Sequence, residues 1–372
     1  MKNFRLIINL VIVVSSFMFF QCTSEYTPIV GPAGADGVDG VDGVDGVDGS
    51  AASCIACHSS THRDPIIAAY LTANHSSGSS WARGTSESCA ACHNNEGFID
   101  YIETGAVAVG GYGVSNTLNC NGCHSAHRSF DFENDGNDMA VRTLDAVDFR
   151  VFAEDDTLDD YVLDYGNASN LCANCHQPRT GTPKPDADGK FLQTSTHWGP
   201  HHGPQTALLE GLLGAYTTFT LVEDIPAVKQ ATHRTGSSCI QCHMEGTSDG
   251  SEGHTWNPNV AACVTCHDTM TEIPEGGIAG LEADMETLAV LLEEVVGQAL
   301  DSNNDPLFEA DGVTPVPVVG IVHDGHPVKG LFDIKDAEAA WNYLFILEDK
   351  SGGIHNPAYS RAIIKNSIAN LE

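Results

Sequence analysis

The stretch Cys239-Ile240-Gln241-Cys242-His243 decides how this chain is read, because its pattern recurs five more times. Cys-x-x-Cys-His also stands at Cys54–Cys57–His58, Cys89–Cys92–His93, Cys120–Cys123–His124, Cys172–Cys175–His176 and Cys263–Cys266–His267. In chain order these are motifs 1 to 6, the quoted stretch being motif 5. Two thiols so spaced, followed at once by an imidazole, are what attachment of c-type haem requires. The thiols add across the porphyrin vinyl groups and the histidine ligates the iron. A lone Cys-x-x-Cys also suits half a zinc site or a redox dithiol, but neither demands histidine next. Histidine supplies only 17 of 372 residues, so six chance matches have odds of roughly 10⁻⁸. Six haem c groups are expected.

Thirteen cysteines less twelve haem thiols leave Cys22 alone, so no disulfide framework is expected. Cys22 follows a short basic start (Lys2, Arg5) and an apolar run from Leu6 to Phe20, which reads as an export signal. Residues 1–21 are expected to be a signal peptide, and Cys22 the lipid-anchored first residue of the mature chain. The stretch Phe19-Phe20-Gln21-Cys22 resembles a bacterial lipoprotein processing site, with Gln21 where a small residue is usual. A plain signal peptide with an incidental thiol, or an uncleaved anchor, are the alternatives. Either way the expected location is periplasmic or cell-surface, where haem c is attached in bacteria.

From Gly31 to Gly49 glycine recurs every third residue, as in collagen. The tract has one proline, Pro32, and five mutually repelling aspartates (Asp36, Asp39, Asp42, Asp45, Asp48), so residues 22–52 are read as an anchor and solvated linker. Net charge is −33, and becomes −35 once Lys2 and Arg5 leave with a signal peptide. That repels nucleic acid, and confines membrane contact to a lipid anchor. It favours a basic redox partner protein, or an extracellular electron acceptor reached through cations. Subunits assembled into an oligomer or a haem-continuous filament are a further variant.

Residues 53–275 form the expected haem domain. Gly, Ser, Asn and Asp interrupt it throughout, which predicts short helices and extensive loops packed around six covalent haems. Trp81, Trp198 and Trp256 are expected against porphyrins, and the short interval from His243 to His267 predicts two adjacent haems. Residues 276–372 carry no motif and are read as a helical region covering the haem domain. Leu281, Met285, Leu288, Leu292, Val295 and Val296 predict one helix over Ala279–Leu300. A second is expected over Asp336–Leu347, and Asn356-Pro357 opens a third as cap and first-turn proline. The fold class expected is therefore mostly α, with a helical C-terminal region.

Each iron needs a sixth ligand beyond its motif histidine. Eleven other histidines exist, enough for bis-His ligation throughout. His127 lies too close to His124 to reach round its own haem and is expected to serve a neighbour. His75 and His233 stand in polar segments upstream of motifs and are expected to be distal ligands.

Three further contexts carry a family likeness. Trp198-Gly-Pro-His201-His202-Gly-Pro-Gln205, His243-Met244 followed by Gly253-His254-Thr255, and Gly353-Ile-His355-Asn356-Pro357-Ala-Tyr359 resemble the large multihaem cytochrome c group. That group includes the ammonia-forming nitrite reductases, octahaem reductases and extracellular respiratory cytochromes. The resemblance implies distal ligation by His202 (or its neighbour His201), His254 and His355. It implies electron transfer as the function. The nitrite reductases carry lysine at the catalytic motif, and no Cys-x-x-Cys-Lys occurs here, which argues against that chemistry.

The expected activity is that of an electron carrier rather than an enzyme. The alternative is a terminal reductase of a small nitrogen or sulfur oxyanion with one open haem. Calcium is a weaker expectation: Asp131, Glu133, Asp135, Gly136 and Asn137 imitate an EF-hand start, but Arg142 stands in place of the closing glutamate. A solvated turn is the favoured reading there, and at Asp186–Gly189.

Overall fold

The computed structural model describes residues 58–125, 141–150, 161–245 and 252–372. Cys22, the Gly-x-y tract, Cys54, Cys57, His127 and the loop Asp131–Asn137 lie outside the described residues. Among the described residues no helix is long and apolar enough to cross a membrane.

The first half is a succession of short helices: α1 (Ser60–Tyr70), α2 (Glu87–His93), α3 (Asn95–Thr104) and α4 (Cys120–Cys123). A two-stranded pair, β1 (Val147–Asp148) with β2 (Val162–Leu163), precedes α5 (Ser169–Ala173). Asparagine side chains cap two of these helices, α3 and α4, by taking over backbone groups. Asn94 caps α3 by accepting from the Glu96 amide at 3.1 Å, and its own amide donates to Gly84 O at 3.0 Å. Gly105 ends α3 in the left-handed region. Next come β3 (Lys190–Gln193), α6 (Gln205–Glu210), α7 (Thr232–Gly236), α8 (Cys239–His243) and α9 (Val260–Val264). The last three bury no residue fully.

The C-terminal part has a conventional apolar core. Helix α10 (Leu281–Glu294) buries Leu281, Leu288 and Leu292 on one face. Strands β4 (Val296–Gln298), β5 (Pro317–Val319), β6 (Val322–His323), β7 (His326–Pro327) and β8 (Gly330–Asp333) follow. Helices α11 (Ile334–Asp349) and α12 (Pro357–Leu371) close the chain. A four-stranded antiparallel sheet runs β3-β8-β4-β5, with Phe191 opposite Phe332 and Val296 opposite Val319. Trp341, Phe345, Tyr359, Ile363 and Ile364 are completely buried.

The expected mostly helical fold, with a helical C-terminal region, is corrected by this sheet: the chain is mixed α/β. The helix expected over Ala279–Leu300 stops at Glu294 because Val295 turns to extended backbone and Val296 enters β4. Gly297 then lets β4 press on Phe332, whose ring a Cβ there would meet at 2.4 Å. The expected second helix is longer, Ile334–Asp349. The third starts where expected, with Asn356 accepting from the Tyr359 amide at 3.3 Å and Pro357 in the first turn.

Strand β3 and the segment 205–223 belong to this core although they precede residue 276. The Trp341 indole donates to Leu213 O at 2.7 Å, and the Tyr359 hydroxyl accepts from the Gly214 amide at 2.7 Å. Glu338, 1% exposed, accepts from the amides of Thr217 (3.0 Å) and Thr218 (3.1 Å) and from both hydroxyls. Replacing Glu338 by alanine strands those donors in the interior. Thermal unfolding followed by circular dichroism should then show a loss on the order of 3 kcal/mol.

Candidate metal centres

Each described motif histidine from motif 2 onward faces a second histidine. His93 faces His201 with ring centroids 6.1 Å apart, His124 faces His254 at 6.4 Å, and His176 faces His75 at 6.0 Å. His243 faces His355 at 6.2 Å and His267 faces His233 at 6.2 Å. Imidazoles on opposite sides of one metal ion, with nitrogens about 2.0 Å from it and ring centres about 1.1 Å further back, have centroids about 6.2 Å apart. All five pairs fall at that spacing. Among the described residues no group of three or more His, Cys, Asp or Glu converges as metal ligands, so the pairs lack the four protein donors of a structural zinc site. Two axial imidazoles beside two thiols instead fit haem c, whose porphyrin occupies the other four positions. None of the ten described motif cysteines is in a disulfide.

Several of these rings are shifted toward the neutral imidazole that ligation needs. Burial, with the charges of His176 and His243 beside it, lowers His75 to about 4. Burial likewise lowers His93, His124, His176, His201 and His243. His355 goes the other way. Burial alone would lower it, but the charge and hydrogen bond of Asp349 outweigh that and raise it.

Second partners orient several rings through Nδ1. His243 donates to Trp256 O at 2.8 Å, His233 to Ile354 O at 2.5 Å and His201 to His202 O at 3.0 Å. His176 donates to Gln205 Oε1 at 3.0 Å, and His355 to Asp349 Oδ1 at 2.7 Å. Local chain geometry sets these up. His355 leaves a turn in which Lys350, Gly352 and Gly353 all have positive φ. Gly277 and Gly352 let two turns touch backbone to backbone there, where a Cβ on Gly277 would meet Gly352 O at 2.1 Å.

Of the two neighbouring histidines, His201 rather than His202 stands opposite a motif histidine. His201, held at φ 71, turns toward His93, whereas the His202 side chain is 83% exposed and pairs with Glu348 at 2.6 Å. His75, His233, His254 and His355 each stand opposite a motif histidine. His58 begins the described chain on the surface, with Cys54 and Cys57 outside it. Of the tryptophans, Trp81 lies 6.4 Å edge-on to His93, and Trp256 lies between His75 (4.6 Å) and His254 (5.7 Å). Trp198 is instead packed on Phe191 and Trp341 in the C-terminal core. Asp186 is an Asx turn accepting from the amides of Asp188 and Lys190. Arg142 pairs with Glu103.

The motifs also meet one another. The thiols of Cys92 and Cys175 are neighbours, as are those of Cys172 and Cys239, and Cys242 lies within electrostatic range of Cys263 and Cys266. Motif 4 is thus a hub between motifs 2 and 5, with motif 6 beyond motif 5. Arg150 sits beside this junction, its Nη1 3.6 Å from Cys92 Sγ and its guanidinium over Tyr101 at 4.2 Å. Among the described residues its Nε and Nη2 are buried and find no hydrogen-bond partner, which suits a carboxylate such as a haem propionate. Sequence reading singled out neither Arg150 nor the orienting groups Asp349 and Gln205. No motif gives them this role: Gln205 closes the stretch that begins at Trp198, but its bond to His176 arises only on folding.

No family model, curated protein or solved structure matches this chain.

Proposed function

We propose that the chain is an exported hexahaem c-type cytochrome, lipid-anchored through Cys22, that passes electrons along bis-His haems to or from a partner outside the cytoplasm. The observation that carries this reading is the set of five imidazole pairs at 6.0–6.4 Å, each including a Cys-x-x-Cys-His histidine. Haem c bound there supplies one-electron ferric–ferrous chemistry. Bound haem c would be held by both imidazoles of each pair, which would leave a substrate no place at its iron. The protein also keeps motifs close together, with Cys92 beside Cys175 and Cys172 beside Cys239. Helices α7, α8 and α9, which bury no residue fully, gain in this reading the apolar faces of the porphyrins to pack on.

Electron paramagnetic resonance of the oxidised protein tests the proposal. Ring planes cross at 30° and 38° in the His124–His254 and His243–His355 pairs, but at 64°, 76° and 89° in the other three. Near-parallel imidazoles split the iron d orbitals rhombically and near-perpendicular ones do not. The expected spectrum is all low-spin, with two rhombic signals and at least three strongly anisotropic ones, and the reduced protein should bind no carbon monoxide. A high-spin signal that carbon monoxide titrates would transfer the argument to a reductase with an open haem.

A further inference from the structure

Five paired rings spend Nδ1 on a partner among the described residues. Four of those partners are neutral oxygens: Trp256 O, Ile354 O, His202 O and Gln205 Oε1. The fifth, on His355, is the Asp349 carboxylate, whose side chain is fully buried. A ligand N–H that donates to a carboxylate takes on imidazolate character and becomes a stronger donor to iron, which favours the ferric state. A neutral carbonyl does this weakly. Asp349 also accepts from the Ser351 amide at 3.2 Å and from the Ser351 hydroxyl, which together temper its basicity. Its backbone carbonyl accepts from Gln205 Nε2 at 3.0 Å, and Gln205 in turn holds His176. One residue at the end of α11 therefore stands behind a ligand at each of two neighbouring sites, with its charge directed at only one.

We propose that Asp349 sets the redox order of the array, making the His243–His355 site lower in potential than its neighbour at His176–His75. This rests on the haem reading above. Asp349 is a positioning residue in this scheme, acting on the iron only through His355. Electrons entering at the motif 5 site would then run downhill toward motif 4, where Arg150 places a cation beside Cys92 and Cys175.

The test is a spectroelectrochemical titration of the haem-loaded full chain, monitored by electron paramagnetic resonance, for wild type, Asp349→Asn and Ser351→Ala. The amide of Asp349→Asn still accepts from His355, so geometry is retained while the charge is lost. One rhombic signal should then reduce more easily, its ferrous-to-ferric ratio at fixed potential rising about tenfold, equivalent to about 59 mV for one electron. Ser351→Ala leaves the carboxylate with one donor fewer, and should move the same signal the opposite way. A merely structural role for Asp349 would not produce shifts of opposite sign in one signal. Six low-spin haems with no shift in either variant, or with shifts of the same sign, would overturn the proposal. Should Asp349→Asn lose haem, the direction of the Ser351→Ala shift decides. A wild-type protein without covalent haem overturns the underlying reading itself, and haem content by pyridine haemochrome separates that result from the others.

Discussion

Substituting His201 by alanine is expected to open one of the six irons, whereas substituting His202 is expected to open none. The two residues are adjacent and identical, and only their backbone conformations separate them. His201 takes a left-handed φ of 71° and aims its ring at His93, with Nδ1 donating to His202 O at 3.0 Å. His202 points to solvent and to Glu348 on α11. In the proposed haem reading, loss of the His201 ring would leave a five-coordinate iron. The oxidised protein should acquire one high-spin signal per chain, and the reduced protein should bind one equivalent of carbon monoxide. The His202→Ala protein should remain fully low-spin, and losing an exposed ion pair should cost it no more than about 1 kcal/mol of stability. The opposite result would move the axial ligand to His202 and require the 198–205 loop to rearrange when haem is bound.

The second large effect is expected at motif 4. Its thiols neighbour Cys92 of motif 2 on one side and Cys239 of motif 5 on the other, and Cys123 of motif 3 lies within range of both. Its histidine faces His75, which packs on Trp256 at 4.6 Å, and Trp256 in turn carries the carbonyl that holds His243. A Cys172→Ala/Cys175→Ala double variant should therefore lose more than the haem it cannot attach. Mass spectrometry should find fewer than five haems, and limited proteolysis should cut within residues 58–245. The corresponding Cys263→Ala/Cys266→Ala variant removes a terminal motif whose Cys266 is exposed, so five haems and a protease-resistant chain are expected. Equal damage from both variants would show that the haems fold independently rather than around a hub.

What these variants probe divides by physical range. The motif spacing is a covalent property of a pentapeptide, and it could be read without any knowledge of the fold. The same holds for the start of α12, because Asn356 and Pro357 act on backbone groups within a single turn. The apolar face of α10 was legible too, since Leu281, Leu288 and Leu292 repeat at helical spacing. Its end was not, because Val295 and Val296 continue the apolar run while the chain changes conformation beneath them.

The sheet escaped the sequence for a different reason. Its strands are three or four residues long, too short for alternation to register, and the Lys190–Asp333 pairing joins positions 143 residues apart. Only packing on α10 and α11 makes those pairings worth forming, and that is a property of the assembled core. The choice of His201 over His202 is of the same kind, whereas Asp349 reaches His355 locally, through the turn that follows α11. By itself the sequence determined how many haem-type motifs there are and which histidine belongs to each. Tertiary structure decided which second imidazole stands across from it, because four of the five pairings join rings more than a hundred residues apart in the chain, and it decided that the turn after α11 brings Asp349 behind His355.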